Sequence, residues 1–144
     1  MRLNTSSKIE VLRTVYAAMN QVECEYEMAQ YFNFTEDLFI KHWVDSEVVG
    51  YEIDGKLAGG IFFNEGRIHI GVLHEFHGRW LPLLKPSLEI GFSKFGPEMV
   101  AVTNSANKHA RKFIEQVGCT LMADDGIAAD YRVRQSEMRY RKRG

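Results

Sequence analysis

The spacing of hydrophobic positions changes several times along the chain. Ile9, Leu12, Tyr16 and Met19 recur at helical intervals, and Ser7 with Glu10 three residues later makes a capping box, so a first helix is predicted from Ser7 to Asn20. The stretch from Cys24 to Trp43 is aromatic-rich (Tyr26, Tyr31, Phe32, Phe34, Phe39, Trp43), and Thr35 is placed to cap a second helix through Leu38, Phe39, His42 and Trp43. From Val48 the pattern shortens into three apolar runs, Val48 to Ile53, Lys56 to Phe63 and Arg67 to Leu73. Asp54-Gly55 and Asn64-Glu65-Gly66 separate them, which predicts an antiparallel meander.

Helical spacing returns with Leu84, Leu88, Phe92 and Phe95, predicting a helix from Leu81 to Phe95 that either starts late or bends at Pro86. Met99 to Thr103 reads as a strand. Ser105 to Val117 reads as a helix with Ala106, Ala110, Phe113 and Val117 on one face and Gly118 as its stop. Cys119 to Met122 and Tyr131 to Arg139 are expected as the last two strands, joined by Ala123 to Asp130. The order helix, helix, three strands, helix, strand, helix, strand, strand predicts a mixed sheet covered by helices.

Composition changes this picture little. At 144 residues and 16.6 kDa, with 45% hydrophobic and 26% charged residues, the chain suits one core, and a single domain over residues 1–144 is expected. A formal net charge of -1 points to neither nucleic acid nor an anionic membrane. The first residues have no uninterrupted apolar stretch, so neither a signal peptide nor a membrane span is expected, and a cytoplasmic location follows. Cys24 and Cys119 stand in no CxxC or Cys/His spacing and read as reduced packing residues.

Two segments carry a family resemblance. Val72-Leu73-His74-Glu75-Phe76-His77-Gly78-Arg79 is similar to the stretch in Gcn5-related N-acetyltransferases (GNAT) where the fourth strand runs into the acetyl-coenzyme A loop. Asn107, Ala110, Phe113, Glu115 and Gly118 resemble, at the same spacing, a second signature of that family. With the order of elements, the resemblance covers nearly the whole chain. It implies an α/β, GNAT-like acyl-CoA N-acyltransferase fold, a mixed twisted sheet of six to seven strands flanked by about four helices.

The resemblance also implies a cofactor, acetyl-CoA, and an amine substrate. Its loop consensus is Gln or Arg, two residues, Gly, one residue, then Gly or Ala, with N–H groups at a helix start receiving a pyrophosphate. His77, Gly78, Arg79, Trp80, Leu81 and Pro82 stand at those six positions. Trp80 adds bulk, Pro82 removes a donor, and Arg79 is a candidate charged replacement. Cofactor-binding candidates are therefore Val72, Leu73, His77, Gly78, Arg79, Trp80, Leu81 and Asn107, with Val72 using its main chain. Ile114 stands where many members carry a thiolate-protonating Tyr.

An amine must lose a proton before it attacks, and His69, His74 and Glu75 are candidate bases. His69 on its strand faces either the acyl site or the opposite core; Glu75 reads equally as a solvated carboxylate. The three histidines His69, His74 and His77 lack a Cys or an HxxxH pair, so no metal is expected. Asn104 is either a coenzyme or substrate contact or a turn residue. The basic tail, Arg132, Arg134, Arg139, Arg141, Lys142 and Arg143, reads first as a solvated face and second as a contact for nucleic acid or acidic protein. The histidine-glycine-arginine-tryptophan stretch and short length also resemble small GNAT-like head-assembly or internal virion proteins of short-tailed bacteriophages. That resemblance implies catalytic silence and phage structural or assembly proteins as partners.

Overall fold

A computed structural model describes residues 1–25 and 35–140, and side chains within 1–21 and 35–140. Tyr26, Tyr31, Phe32, Phe34, Arg141, Lys142 and Arg143 lie outside the described residues, as does the side chain of Cys24. The elements are β1 (Arg2–Asn4), α1 (Lys8–Glu25), α2 (Glu36–Trp43), β2 (Glu47–Ile53), β3 (Lys56–Asn64), β4 (Arg67–Val72), α3 (Leu81–Phe95), β5 (Glu98–Asn104), α4 (Lys108–Gln116), β6 (Thr120–Asp124) and β7 (Ala128–Arg134). Short 3-10 turns follow β4 at His74–Phe76 and β7 at Gln135–Glu137. One seven-stranded sheet runs β1-β2-β3-β4-β5-β7-β6, antiparallel throughout except for the parallel pair β4 and β5.

The meander is made by two-residue turns. Asp54 and Gly55 take φ of 54° and 76°, and Glu65 and Gly66 take 51° and 78°, so both hairpins turn with positive φ at both central positions, matching the twist of the strands. This places Asn64 in the strand and not in the turn.

The two faces of the sheet bury different clusters. Val11, Leu12 and Val15 of α1 and Phe39 and Trp43 of α2 cover Val48 and Phe62. On the other face Leu84, Leu88 and Phe92 of α3 meet Val49, Tyr51, Ile61, Phe63 and Ile68, and the same cluster continues to Tyr131 and Val133 with Phe113 and Ile114 of α4 packed against it. A row of glycines sets the depth of α1: Gly50 pairs with Gly60, and Gly60 with Gly71. A Cβ on Gly60 would stand 2.6 Å from Val11 Cγ1, and one on Gly71 3.0 Å from both Val15 Cγ1 and Val15 O. Bare backbone across three strands is what lets the helix lie so close.

Several sequence expectations shift. β1 was not expected; three residues with little apolar pattern pair with β2, and Asn4 Oδ1 accepts the N–H groups of Ser6 and Ser7 at 3.0 Å each, holding the start of α1. α1 continues past Asn20 to Glu25. α3 does not start late: it begins at Leu81 with Pro82 in its first turn, where a missing N–H costs nothing, and Pro86 is carried inside the helix. α4 begins at Lys108, since Asn107 and not Ser105 caps it. The last strand ends at Arg134 instead of Arg139. Beyond it the chain crosses back over Gly118, where Arg139 donates its N–H to Val117 O at 2.8 Å. Gly118 has φ 106° with the Glu137 carbonyl directly above it, so it serves both as helix stop and as the crossing point.

Candidate functional site

The parallel pair opens almost as soon as it forms. β4 and β5 pair at Arg67 with Val100 and at Ile68 with Ala101, then part, so the last pair lies four residues before Val72. Leu73 donates its N–H to Ala58 O at 2.8 Å, in register with β3. Alternation along an antiparallel ladder then turns the main-chain groups of Ile70 and Val72 away from β3, into the gap that β5 has left.

The loop beyond β4 uses part of its own donor set. His77 N–H goes to His74 O and Arg79 N–H to Phe76 O, both at 3.1 Å, and Leu83 N–H goes to Trp80 O at 2.9 Å. Pro82 contributes none. Among the described residues this leaves Gly78, Trp80 and Leu81 as the loop's available donors, at the positive end of a fifteen-residue helix. Gly78 has φ 83°, with open space where a side chain would stand.

The side chains of the same loop make contacts back onto the protein, although His77 and Arg79 stay exposed. His77 Nε2 lies 2.7 Å from Val72 O, and its ring stacks on His74 at 4.8 Å. His74 N–H is accepted by Gln21 Oε1 of α1 at 3.0 Å. Arg79 forms an ion pair with Asp54 of the first hairpin turn and lies over the Phe76 ring at 5.6 Å. The guanidinium beside Asp54 holds that carboxyl below the usual range. Trp80 is stacked on Tyr51 of β2 at 5.7 Å and tilted against Phe113 of α4 at 5.2 Å. Tyr51 is itself fixed by its hydroxyl, 2.8 Å from Ser87 Oγ of α3.

The candidate bases separate. His74 and the exposed Glu75 sit in the 3-10 turn at the end of β4, beside the gap. His69 points to the other face, stacked on Phe62 at 4.7 Å and against Trp43 at 5.3 Å, and is 5% exposed. Burial, with a smaller contribution from Arg67, lowers its pKa to about 4, so it is a neutral ring in an aromatic core. Of the two alternatives for His69, the opposite core is where the structure puts it. Asn107 Oδ1 accepts Ala110 N–H at 3.1 Å as the cap of α4, and Asn104 Oδ1 accepts Ala106 N–H at 3.0 Å in a turn. Ile114 packs on the core, as does the buried Cys119, whose thiol burial pushes up to about 12.

The basic tail is largely compensated where it is described: Arg132 pairs with Glu137 and Arg134 with Glu98. Arg139 lines a depression of about 610 Å³ with Lys108, Arg111 and Lys112 on the outer side of α4. Among the described residues no group of three or more His, Cys, Asp and Glu side chains is arranged to hold a metal, and no helix is long and apolar enough to cross a membrane.

Four residues that shape the loop escaped the sequence reading: Tyr51, Phe113, Asp54 and Gln21. Asp54 was legible only as a turn residue, Tyr51 only as part of an apolar run, and Phe113 as a helix-face and signature residue with no stated tie to the loop. Their roles depend on which strands lie side by side, which no local pattern states.

For acetyl-CoA, the structure fits one half of the cofactor and resists the other. Gly78, Trp80 and Leu81 offer main-chain donors suited to a pyrophosphate. The Val72 carbonyl, expected to receive the pantetheine arm, is already bonded to His77, and Arg79 already to Asp54.

No family model matches the chain, and no curated protein matches it by sequence. Solved structures do. YncA of Salmonella typhimurium, solved with acetyl-CoA as its cofactor, superposes with a TM-score of 0.67 at 14% identity, covering 94% of each chain. PaiA N-acetyltransferase of Thermoplasma acidophilum, solved with coenzyme A, gives 0.64 at 16% identity over 92% of this chain and 98% of that one. A GNAT-family acetyltransferase of Streptococcus agalactiae gives 0.68 at 14% identity over 92% and 94%. The chain therefore has the GNAT fold, with a mixed seven-stranded sheet and four helices among the described residues.

Proposed function

We propose that the chain is an acetyl-CoA-dependent N-acetyltransferase-like protein acting on an amine, with a degenerate coenzyme loop. The observation that carries this reading is the parting of β4 from β5 beside the main-chain donors of Gly78, Trp80 and Leu81. That arrangement suits a ligand with a pyrophosphate at one end and an extended amide-bearing arm at the other. The cofactor, when bound, supplies the acetyl group as a thioester. His74 and Glu75 stand beside the gap and are the better candidates for taking a proton from the amine; His69, enclosed and with its pKa lowered to about 4, is the poorer one.

A second reading, a catalytically silent GNAT-fold protein of phage or prophage origin working through protein contacts in head assembly or the virion, draws support from Ile114 and Pro82, which supply neither proton nor N–H. The expected location is the cytoplasm under the first reading, and the host cytoplasm or the virion under the second. Incubation with acetyl-CoA and a panel of diamines, polyamines and lysine peptides, read by mass spectrometry, separates them. Acetylated product that disappears when His74 and Glu75 are replaced together by Gln supports the enzyme. Coenzyme binding without product from any amine supports the silent reading.

A further inference from the structure

A parted pair of strands exposes main-chain donors and acceptors that an extended amide chain would satisfy as an added strand. Here the acceptor at the mouth of the gap is already taken. We propose that His77 and Trp80 form a stopper built from the chain itself, and that the amide-bearing arm of a coenzyme reaches Val72 only when both side chains have left. The proposal rests on the coenzyme reading above.

A carbonyl only accepts, so His77, 2.7 Å from Val72 O, carries its proton on Nε2 and presents an N–H where a ligand amide would stand. The ring is braced: it stacks on His74, whose own N–H is held by Gln21 from α1. Trp80 closes the gap from above. Tyr51 pairs in register with Gly59, and Gly59 with Val72, so an indole stacked on Tyr51 lies along the row that ends at Val72. Its second ring contact, Phe113, belongs to α4, on the far side of the parting. Between His77 and Trp80, Arg79 is tied to Asp54, so the loop is anchored to the sheet at three successive places. The donors for phosphate are main-chain groups and do not depend on these side chains.

The consequence is a selective defect. A binding-competent state that is only partly populated weakens apparent affinity by its population, and the stopper applies this to the arm alone. Titration calorimetry with coenzyme A and with ADP, which carries the pyrophosphate and lacks the arm, tests it on the wild type, Trp80→Ala, His77→Ala and Phe113→Ala. We expect Trp80→Ala to tighten coenzyme A by about tenfold or more and ADP by less than about twofold, with His77→Ala and Phe113→Ala moving the same way. Equal tightening of both ligands overturns the stopper, because the obstruction would then lie at the phosphates. Wild-type binding of coenzyme A that no variant improves also overturns it and leaves the coenzyme reading standing. No binding of either ligand by any folded variant defeats the coenzyme reading and the stopper together. Should Trp80→Ala fail to fold, indole fluorescence of the wild type carries the test: coenzyme A should red-shift the emission and ADP should not, and an unchanged spectrum at saturation counts against the proposal.

Discussion

The buried pair beneath Trp80 makes an asymmetric prediction. Tyr51 is fully buried, its hydroxyl 2.8 Å from Ser87 Oγ, and Ser87 in turn donates to Leu84 O at 2.9 Å. Since the Ser87 proton is committed to Leu84, Tyr51 is the donor of the pair. Ser87→Ala therefore strands a buried O–H without an acceptor, costing about 1–3 kcal/mol, whereas Tyr51→Phe leaves Ser87 bonded to Leu84 and costs about 0.5–1.5 kcal/mol. The double variant removes the stranded group and should be more stable than Ser87→Ala alone. Urea denaturation of the four proteins, with the slope unchanged so that midpoints can be compared, measures this. A double variant less stable than Ser87→Ala, with costs that simply add, would refute the assignment of donor and acceptor.

Three further outcomes follow from the same packing. His69 has a folded pKa of about 4 against an ordinary value of 6.5, so the unfolded chain binds more protons between them. Its contribution to stability is full above the unfolded value and is lost as pH falls toward the folded one, with a slope of up to about 1.4 kcal/mol per pH unit. His69→Phe, which suits the space between Phe62 and Trp43, should flatten that part of the stability profile, and an unchanged slope would contradict the assignment. Gly60→Ala forces a Cβ to 2.6 Å from Val11 Cγ1 and 2.7 Å from Val49 O, and should destabilise by about 1–3 kcal/mol in thermal or urea melts; a neutral effect would mean that α1 is free to shift. Asp54→Asn breaks an exposed ion pair and should leave the urea midpoint essentially unchanged, so a clear loss would show that the Arg79 tie supports the fold itself.

Much of the fold was legible because its signals are local. Asp54-Gly55 and Glu65-Gly66 fix two hairpins, Thr35 caps α2 with its side chain 3.3 Å from Leu38 N, and the period of Phe113 and Val117 fixes the inner face of α4. β1 was not legible, since Arg2, Leu3 and Asn4 become a strand only by pairing with β2. The end of β7 was missed because Met138 and Arg139 read as a continuation of the strand after the chain has turned at Gln135. Which side chains meet around the loop was not legible. Trp80 announced a large ring needing a partner, but Tyr51 and Phe113 are 29 residues before it and 33 after it, and only the sheet order makes them its neighbours. His69 shows the same limit: a strand residue has two faces to choose from, and the aromatic cluster of α1 and α2 made the choice.

The central claim, that the gap beside Gly78, Trp80 and Leu81 receives acetyl-CoA, is tested most directly by the melting temperature of the wild type with and without millimolar acetyl-CoA. A native-state ligand at about one hundred times its dissociation constant adds about 2.7 kcal/mol, which for a domain of this size raises the melting temperature by roughly five degrees or more. We predict that rise, smaller with ADP. A well-folded protein whose melting temperature does not move with acetyl-CoA or coenzyme A would contradict it.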